Sequence, residues 1–342
     1  MVQDTQTLCR RHGLTYVESS ELGLRRRRCG KGFSYLDPSG RTVRDKAVRA
    51  RIKALAIPPA WTDVRIAQDD RAHIQAIGRD AEGRLQYRYH PDWEHVRSSG
   101  KERRLLRFGS ALPRVRSAVK AALAGSSVTR TKVIAAVVRL IDVALLRPGY
   151  EEYAREHGGR GAATLLKKDV AVEGDKIVVE FKGKGGKQIK QEVEDRSLSR
   201  VVRTLSALRG RRLFNAPDGY GTKRPITAGE VNSFIANAAG TDISAKDFRT
   251  FRASAAALAS LTRRNGHDSK RSRAKAIVDA ADEASEILAN TRTVARSSYI
   301  HSSIIEAYKQ GKLKDSLFQG RLRNGLTKIE SALMRFLERD PT

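Results

Sequence analysis

The stretch 164–194, TLLKKDVAVEGDKIVVEFKGKGGKQIKQEVE, decides the fold class. Two turn signals, EGD and KGKGGK, cut it into three strand-like runs, because Gly and Asp favour the tight turns that join antiparallel strands. On both sides the pattern is helical. Before it, RRLLRFGSALPRVRSAVKAALA and TRTKVIAAVVRLIDVALL carry apolar residues at three- and four-residue spacing. After it come SLSRVVRTLSALRG, TAGEVNSFIANAAG, SAKDFRTFRASAAALASL, RAKAIVDAADEASEILAN and SSYIHSSIIEAYKQG. Thr227 and Glu230 have capping-box spacing, and Ser244 can cap the helix that contains Arg249. The last piece, GLTKIESALMRFLERD, is amphipathic through Leu326, Ile329, Leu333 and Phe336, and the tail 312–342 shows no role beyond that packing.

Residues 14–90 read differently. GFSYLDPSGRTV alternates around Tyr35 before a DPSG turn, and WTDVRIAQ and HIQAIGRDAEGRLQYRYHP read as strands with a DAEG turn. RDKAVRARIKAL (44–55) has helical spacing, and IPPAW ends that helix. RSSGKERR (97–104) is small, polar and charged, the best linker candidate. The expectation is an α+β protein: a β-rich N-terminal lobe (1–98), a hinge (99–104), and a mainly helical domain (105–342) with a three-stranded hairpin insertion.

The chain has 342 residues, with 66 Lys+Arg against 38 Asp+Glu and a net charge of +28. The basic residues run from Arg25–Arg28 to Arg339 with acids interleaved, so this is no basic tail on a neutral domain. An excess of this size points to a polyanionic partner, foremost nucleic acid. No apolar run approaches the roughly 18–20 residues that span a bilayer, and MVQDTQTL lacks the charged start and apolar run of a signal peptide. Cys9 and Cys29 make no disulfide framework. His90 and His95, which flank Trp93, lack metal-ligand spacing. The expectation is a soluble, intracellular, reduced protein with a nucleic-acid partner.

ANTRTVARSSYIHSS (289–303) holds a tyrosine among hydroxyl, amide and arginine side chains. A free phenol is a poor nucleophile at neutral pH. Attack on a phosphodiester needs cationic forks on the non-bridging oxygens, a hydrogen-bond donor beside them and an acid for the leaving alkoxide. Arginine suits the first role, being planar and always charged. Arg147 ends the helix RLIDVALLR, where a cation is also the ordinary electrostatic choice. Arg249 falls in the first turn of its expected helix, where the macrodipole disfavours a cation. Lys184 lies in the KGKGGK turn, as a mobile proton donor or a solvated turn residue; the glycines lack P-loop spacing. Asn290 is nine residues before Tyr299, about 900° along a continuous helix and so on the opposite face. If both reach one phosphate, the helix must stop between them, which ANTRT permits.

The order Arg147, Lys184, Arg249, Asn290, Tyr299 resembles the type IB DNA topoisomerases, in particular the small bacterial, poxvirus-like branch. The strings that carry the resemblance are LLRPGYEEYA, FKGKGGK, KDFRTFRASAA and LANTRTVARSSYIH, behind GKGFSYLD, IPPAW and HIQAIGRDAEGRLQYRYHPDW. It runs from about residue 15 to 310 and implies the catalytic fold shared with tyrosine recombinases. It also implies that Tyr299 attacks DNA to form a 3′-phosphotyrosyl bond. Arg147 and Arg249 hold the non-bridging oxygens, Lys184 protonates the departing 5′-hydroxyl, and Asn290 donates to a phosphate oxygen. Relaxation of supercoiled DNA then needs neither nucleotide nor metal. Poxviral and nuclear members have histidine where this chain has Asn290; an amide donates the same bond and cannot titrate.

Gln86, Tyr87 and Tyr89 match the family's DNA-contacting strand. Alternation puts both tyrosines on one face and Gln86 with Arg88 on the other, unless a bulge intervenes; the same tyrosines would also suit a core face. The resemblance further implies a monomer that closes as a clamp on duplex DNA, with no small-molecule substrate. A tyrosine recombinase is the nearest rival, but such enzymes carry His-x-x-Arg where this chain has Lys246 three residues before Arg249. A non-catalytic basic DNA-binding protein is the rival from another class, and it would have no use for Tyr299.

Overall fold

The computed structural model describes residues 2–30, 32–218, 222–265 and 269–339, without the side chains of 2–4 and 94–99. The chain divides into two compact units, Met1–Lys101 and Glu102–Thr342.

The alternating segments of the first unit become an antiparallel sheet. Its elements are α1 (Val2–Arg11), β1 (Leu24–Cys29), β2 (Gly32–Leu36), α2 (Lys46–Ala54), β3 (Thr62–Ile66), β4 (Ile74–Arg79) and β5 (Leu85–Tyr89). The strand order is β2-β1-β3-β4-β5. Asp45 caps α2 through the N–H groups of Ala47 and Val48, and Ile52 of that helix is buried with Leu24, Val64, Ile66 and Ala76. The DAEG turn closes by a Gly83 N–H to Asp80 carbonyl bond of 3.0 Å. It leaves β5 at the sheet edge, unpaired on one side.

α3 spans Trp93–Ala124. The expected linker 97–104 is therefore helical. Its Arg, Lys and Glu are good helix formers, and a polar run suits a solvated helix as well as a loop; only Gly100 argues against it.

The second unit continues with α4 (Arg130–Ala144), α5 (Glu151–His157), β6 (Val170–Glu173), β7 (Lys176–Lys182), β8 (Gln188–Glu194) and α6 (Arg196–Ala207). Then come β9 (Asn215–Pro217), β10 (Lys223–Pro225), α7 (Ala228–Ala239), α8 (Ala245–Arg263) and α9 (Lys270–Ile287). The chain closes with α10 (Arg292–Ser298), α11 (Ser302–Lys309), α12 (Ser316–Gln319) and α13 (Lys328–Arg339). The three strands expected in 164–194 are present as an antiparallel sheet β6-β7-β8. Phe181 and Ile189 face each other in the β7–β8 register and are both buried. The helices enclose a core centred on α8, whose Phe248 packs edge-on and Phe251 tilted against Phe108 of α3, with ring centroids 4.9 and 5.3 Å apart.

Caps set the helix ends. Thr227 and Glu230 form the expected capping box at α7. Ser244 sits at the N-cap of α8, but the bonds run from its N–H (2.7 Å) and hydroxyl (3.0 Å) to Asp247. The helix expected over 297–311 is broken at Tyr299–His301. There the buried Ser254 Oγ of α8 donates to the Tyr299 carbonyl and accepts from the His301 N–H, both at 3.1 Å. That hydroxyl satisfies backbone groups which a continuous helix would have paired internally.

The C-terminal helix does more than present an apolar stripe. Glu330 is fully buried and pairs with Arg116 at 2.9 Å and Arg252 at 3.3 Å. Arg116 also bridges to Asp142 at 2.8 Å. Burial pushes the Glu330 carboxyl up, but the hydrogen bonds and charge of Arg116 outweigh it and hold the group down at about 2. None of the described helices is long and apolar enough to cross a membrane.

Glu330→Gln should cost about 3–5 kcal/mol at neutral pH, because it leaves buried cations short of a partner. A carboxyl held at about 2 stabilises the fold above its unfolded pKa, and that share is lost as pH falls through the folded value. The gap between wild type and variant in urea unfolding should therefore be full at pH 7 and shrink steadily below about pH 4.5. An unchanged gap at pH 3 would remove Glu330 from the network's ionic role.

Candidate active site

Two helices end where a cation is needed. α4 closes on Leu145, whose φ of 52° turns the chain out of the helix, and α9 closes on Leu288. Their C-cap carbonyls lack helical partners and carry the negative end of each dipole. Arg249, 2% exposed, fills both needs: Nη1 donates to the Leu145 carbonyl, and Nη2 to that of Leu288 at 3.0 Å. It lies in the second turn of α8, not the first as expected, and the C-termini of other helices offset its own helix's unfavourable dipole.

The next residues along both chains form the site. Two positions past Leu145 is Arg147, and two past Leu288 is Asn290. Arg147 Nη2 donates to Asn290 Oδ1 at 2.7 Å, which fixes the amide so that its Nδ2 points elsewhere. Ala289 takes a φ of 47°, and Thr291 caps α10. The helix thus stops at Leu288, before Asn290 and not between Asn290 and Tyr299 as expected, and α10 begins at Arg292, so no continuous helix carries both residues. The Arg147 loop is held by close backbone contact. Gly149 has a φ of +83°, and a Cβ on Gly161 would lie 2.6 Å from both the Arg147 carbonyl and Gly149 Cα. The Ala162 N–H donates to the Arg147 carbonyl at 2.9 Å.

Tyr299 is the C-cap of α10, not a helix-start residue. Its ring is 8% exposed and packs among Leu145, Leu288 and Ala295, with the Arg249 guanidinium 4.9 Å from the ring centroid. Burial pushes the phenol up, but the charge and hydrogen bonding of Arg249, with Arg147 and Lys246 behind it, bring it below its ordinary value. Burial lowers Arg249 in turn, partly offset by Tyr299.

Lys184 arrives from the sheet. It is exposed in the turn between β7 and β8 and lines a cleft with Arg147, Arg160, Arg249, Leu146 and Leu288. Among the described residues, two buried donors at this place have no partner: Arg249 Nε, on a residue that lines the cleft, and Nδ2 of Asn290, which is bonded to the cleft's Arg147. Unpaired buried N–H groups beside two guanidinium groups form a receptor for an anion with several acceptor oxygens. Arg147, Lys184, Arg249 and Asn290 are thus brought together, with Tyr299 against Arg249.

Several contributors carried weak sequence signals. Lys246 lies one helical turn before Arg249, a spacing that could have been read as a shared face. Ser254 had none, because it acts through contacts distant in sequence. His301 is buried and caps α11, with its Nδ1 2.7 Å from Ser303 Oγ. Among the described residues no group of three or more His, Cys, Asp or Glu could hold a metal ion; the His95 side chain lies outside them.

The DNA-strand candidates lie in the first unit. Tyr87 and Tyr89, each 38% exposed, stack with centroids 5.8 Å apart, and Tyr89 continues onto Trp93 at 6.0 Å. They form an aromatic stripe on the edge strand, not a core face. Gln86 is on the other face of β5, half-buried, and donates to Asp80 Oδ2 at 2.8 Å. No bulge turns it: Gln86 pairs in register with Gly78, and the only irregularity of this pair lies between Ile74 and Ala76.

Comparison with known proteins agrees with this geometry. The family model described as the catalytic core of eukaryotic DNA topoisomerase I matches residues 93–319. The one described as the N-terminal domain of bacterial DNA topoisomerase IB matches residues 32–80. DNA topoisomerase 1B of Acanthamoeba polyphaga mimivirus is 31% identical over 297 residues, covering 84% of this chain and 88% of the viral protein.

Arg249→Gln should raise the Tyr299 phenol above its ordinary value, since burial then acts without the cation that outweighs it. Ultraviolet difference titration against the same proteins carrying Tyr299→Phe checks this; an unmoved ionisation would mean that Arg249 does not set it.

Proposed function

This chain belongs to the type IB DNA topoisomerases, and from that premise we propose how its own residues carry the family's reaction. The protein relaxes supercoiled duplex DNA by cutting one strand through a 3′-phosphotyrosyl intermediate, letting it rotate and resealing it, without ATP or metal. In our reading the scissile phosphate sits in the cleft of Arg147, Lys184 and Arg249. The observation that carries it is the pair of unpartnered buried donors, Arg249 Nε and Asn290 Nδ2, beside the Arg147 fork.

Tyr299 Oη attacks phosphorus and gives up its proton to solvent, and the bond from phosphorus to the 5′-oxygen breaks. Arg147 and Arg249 bind the non-bridging oxygens and stabilise the charge that builds there. Asn290 adds a neutral hydrogen bond, held in orientation by Arg147. Lys184 gives its proton to the departing 5′-oxygen. Resealing reverses each transfer: the 5′-hydroxyl attacks, its proton returns to Lys184, and Tyr299 leaves. One phosphodiester replaces another throughout, so the bond energy is conserved and no nucleotide is consumed.

The first unit supplies DNA contacts through Tyr87, Tyr89 and the adjoining Trp93. Gln86, engaged by Asp80, contributes by bracing that hairpin or by exchanging partners when DNA binds. A monomer closes both units on the duplex as a clamp, with the hinge at 99–104, where Gly100 weakens an otherwise strong helical run. Nucleoid association follows from duplex DNA being the partner. The net charge of +28 makes binding steeply salt-dependent.

Incubation with negatively supercoiled plasmid in EDTA without ATP should give relaxed DNA. An SDS quench should trap protein on DNA 3′ ends. Tyr299→Phe should lose both while still binding DNA; a variant that still relaxes would sink the assignment. Asn290→Ala should slow single-turnover cleavage by about 10-fold or more, the scale of a lost transition-state donor. Full activity on a suicide substrate would remove Asn290 from the site. Tyr87→Ala with Tyr89→Ala should weaken duplex affinity by about 1–3 kcal/mol if bases or sugars stack there, a loss that filter binding at fixed salt would measure.

A further inference from the structure

We propose that Tyr153 and Lys187 are positioning residues that hold the Lys184 turn over the cleft before DNA arrives. This rests on the reading of Lys184 as the proton donor. The turn closes by a Gly183 N–H to Lys187 carbonyl bond of 2.8 Å. Within it Gly185 and Gly186 take φ values of +71° and +77°, a conformation suited to glycine. A turn built this way has no side-chain packing of its own, and Lys184 is exposed upon it.

Two contacts from outside the sheet fix it. On one side, the Gly185 N–H donates to the Tyr153 hydroxyl at 2.9 Å, and Lys184 Nζ lies 5.7 Å from the centroid of the same ring. His157 stacks on that ring at 4.6 Å, so Tyr153 is itself braced along α5. On the other side, Lys187 Nζ donates to the Asn290 carbonyl at 2.7 Å. The second tether ends on the backbone of the residue whose side chain holds Arg147. The acid-bearing turn and the phosphate cradle are thereby joined directly.

The chemistry needs such tethers. A general acid works only within hydrogen-bond reach of the oxygen it protonates. A lysine on a two-glycine turn would otherwise spend most of its time elsewhere, and misplacement by about 1 Å can cost on the order of 100-fold in rate. Tyr153 and Lys187 touch no reacting atom in this scheme; they act through Lys184.

The test is single-turnover cleavage of two suicide substrates, one with the normal 5′-oxygen and one with sulfur at that bridging position. A thiolate leaves without a proton, so its departure does not require Lys184. Tyr153→Phe keeps the ring and removes the acceptor hydroxyl; Lys187→Met keeps the length and removes the donor. With Lys184→Ala as reference, each should cleave the oxygen substrate about 10–100-fold more slowly, and the sulfur substrate at close to the wild-type rate. In a Lys184→Ala background neither should cause further loss. Equal slowing on both substrates, or additive loss in that background, would overturn the proposal and mark the two residues as merely structural. Wild-type rates on oxygen would overturn it as well. If Lys184→Ala itself is not rescued by sulfur, the general-acid assignment fails first and takes this inference with it.

Discussion

A single buried guanidinium holds this site together. Arg249 sits on the C-cap carbonyls of α4 and α9, so two helix ends that would otherwise leave unsatisfied acceptors converge on one cation. Arg147 and Asn290 follow those ends by two residues each, and so they meet. Tyr299 packs its ring against the same guanidinium. The residue proposed to stabilise the transition state is thus also the one that assembles its neighbours. Such a site is preorganised: the dipoles and charges are oriented before any phosphate enters, and little reorganisation remains for the reaction itself.

The cations divide into two kinds. Arg104, Arg116, Arg130 and Arg139 are committed to carboxylates inside the second unit, where they fasten helices distant in sequence. Glu330 shows the cost of that design, since a fully buried carboxylate is tolerable only while Arg116 and Arg252 face it. Two of the cleft cations differ, although Arg160 on the same cleft is itself paired with Asp169 at 2.7 Å. Arg147 meets only a neutral amide, and Arg249 only neutral carbonyls and a phenol. Among the described residues no carboxylate pairs with either, which leaves their charge available to an anion. The same basic composition therefore serves cohesion in one place and recognition in another.

The strand insertion answers a geometric problem. Helix ends supply a rigid cradle for phosphate, but a proton donor must approach from the leaving-group side. In the proposed scheme a hairpin turn reaches that side without displacing a helix. Its tethers to Tyr153 and to the Asn290 backbone give the turn the definition that its glycines withhold. Reach and rigidity are thus provided by different elements.

Much of this was legible in the sequence. Periodicity showed the helical lobe and its three strands, and the charge showed the polyanionic partner. The capping box of α7 and a helix stop near Asn290 followed from local chemistry, as did the alternation that puts Tyr87 and Tyr89 on one face. Those features depend on neighbours within a few residues. Polar composition misled at 97–104, where solvated helix and linker look alike. It also gave no sign that the helix breaks at Tyr299, because the hydroxyl responsible belongs to Ser254, 45 residues away. Whether the two tyrosines faced core or solvent, that Glu330 would be a buried counter-ion, and that Lys187 would reach Asn290 were likewise settled only by tertiary structure. Burial and pairing are properties of surfaces brought together from distant segments, and no local pattern encodes which surfaces will meet.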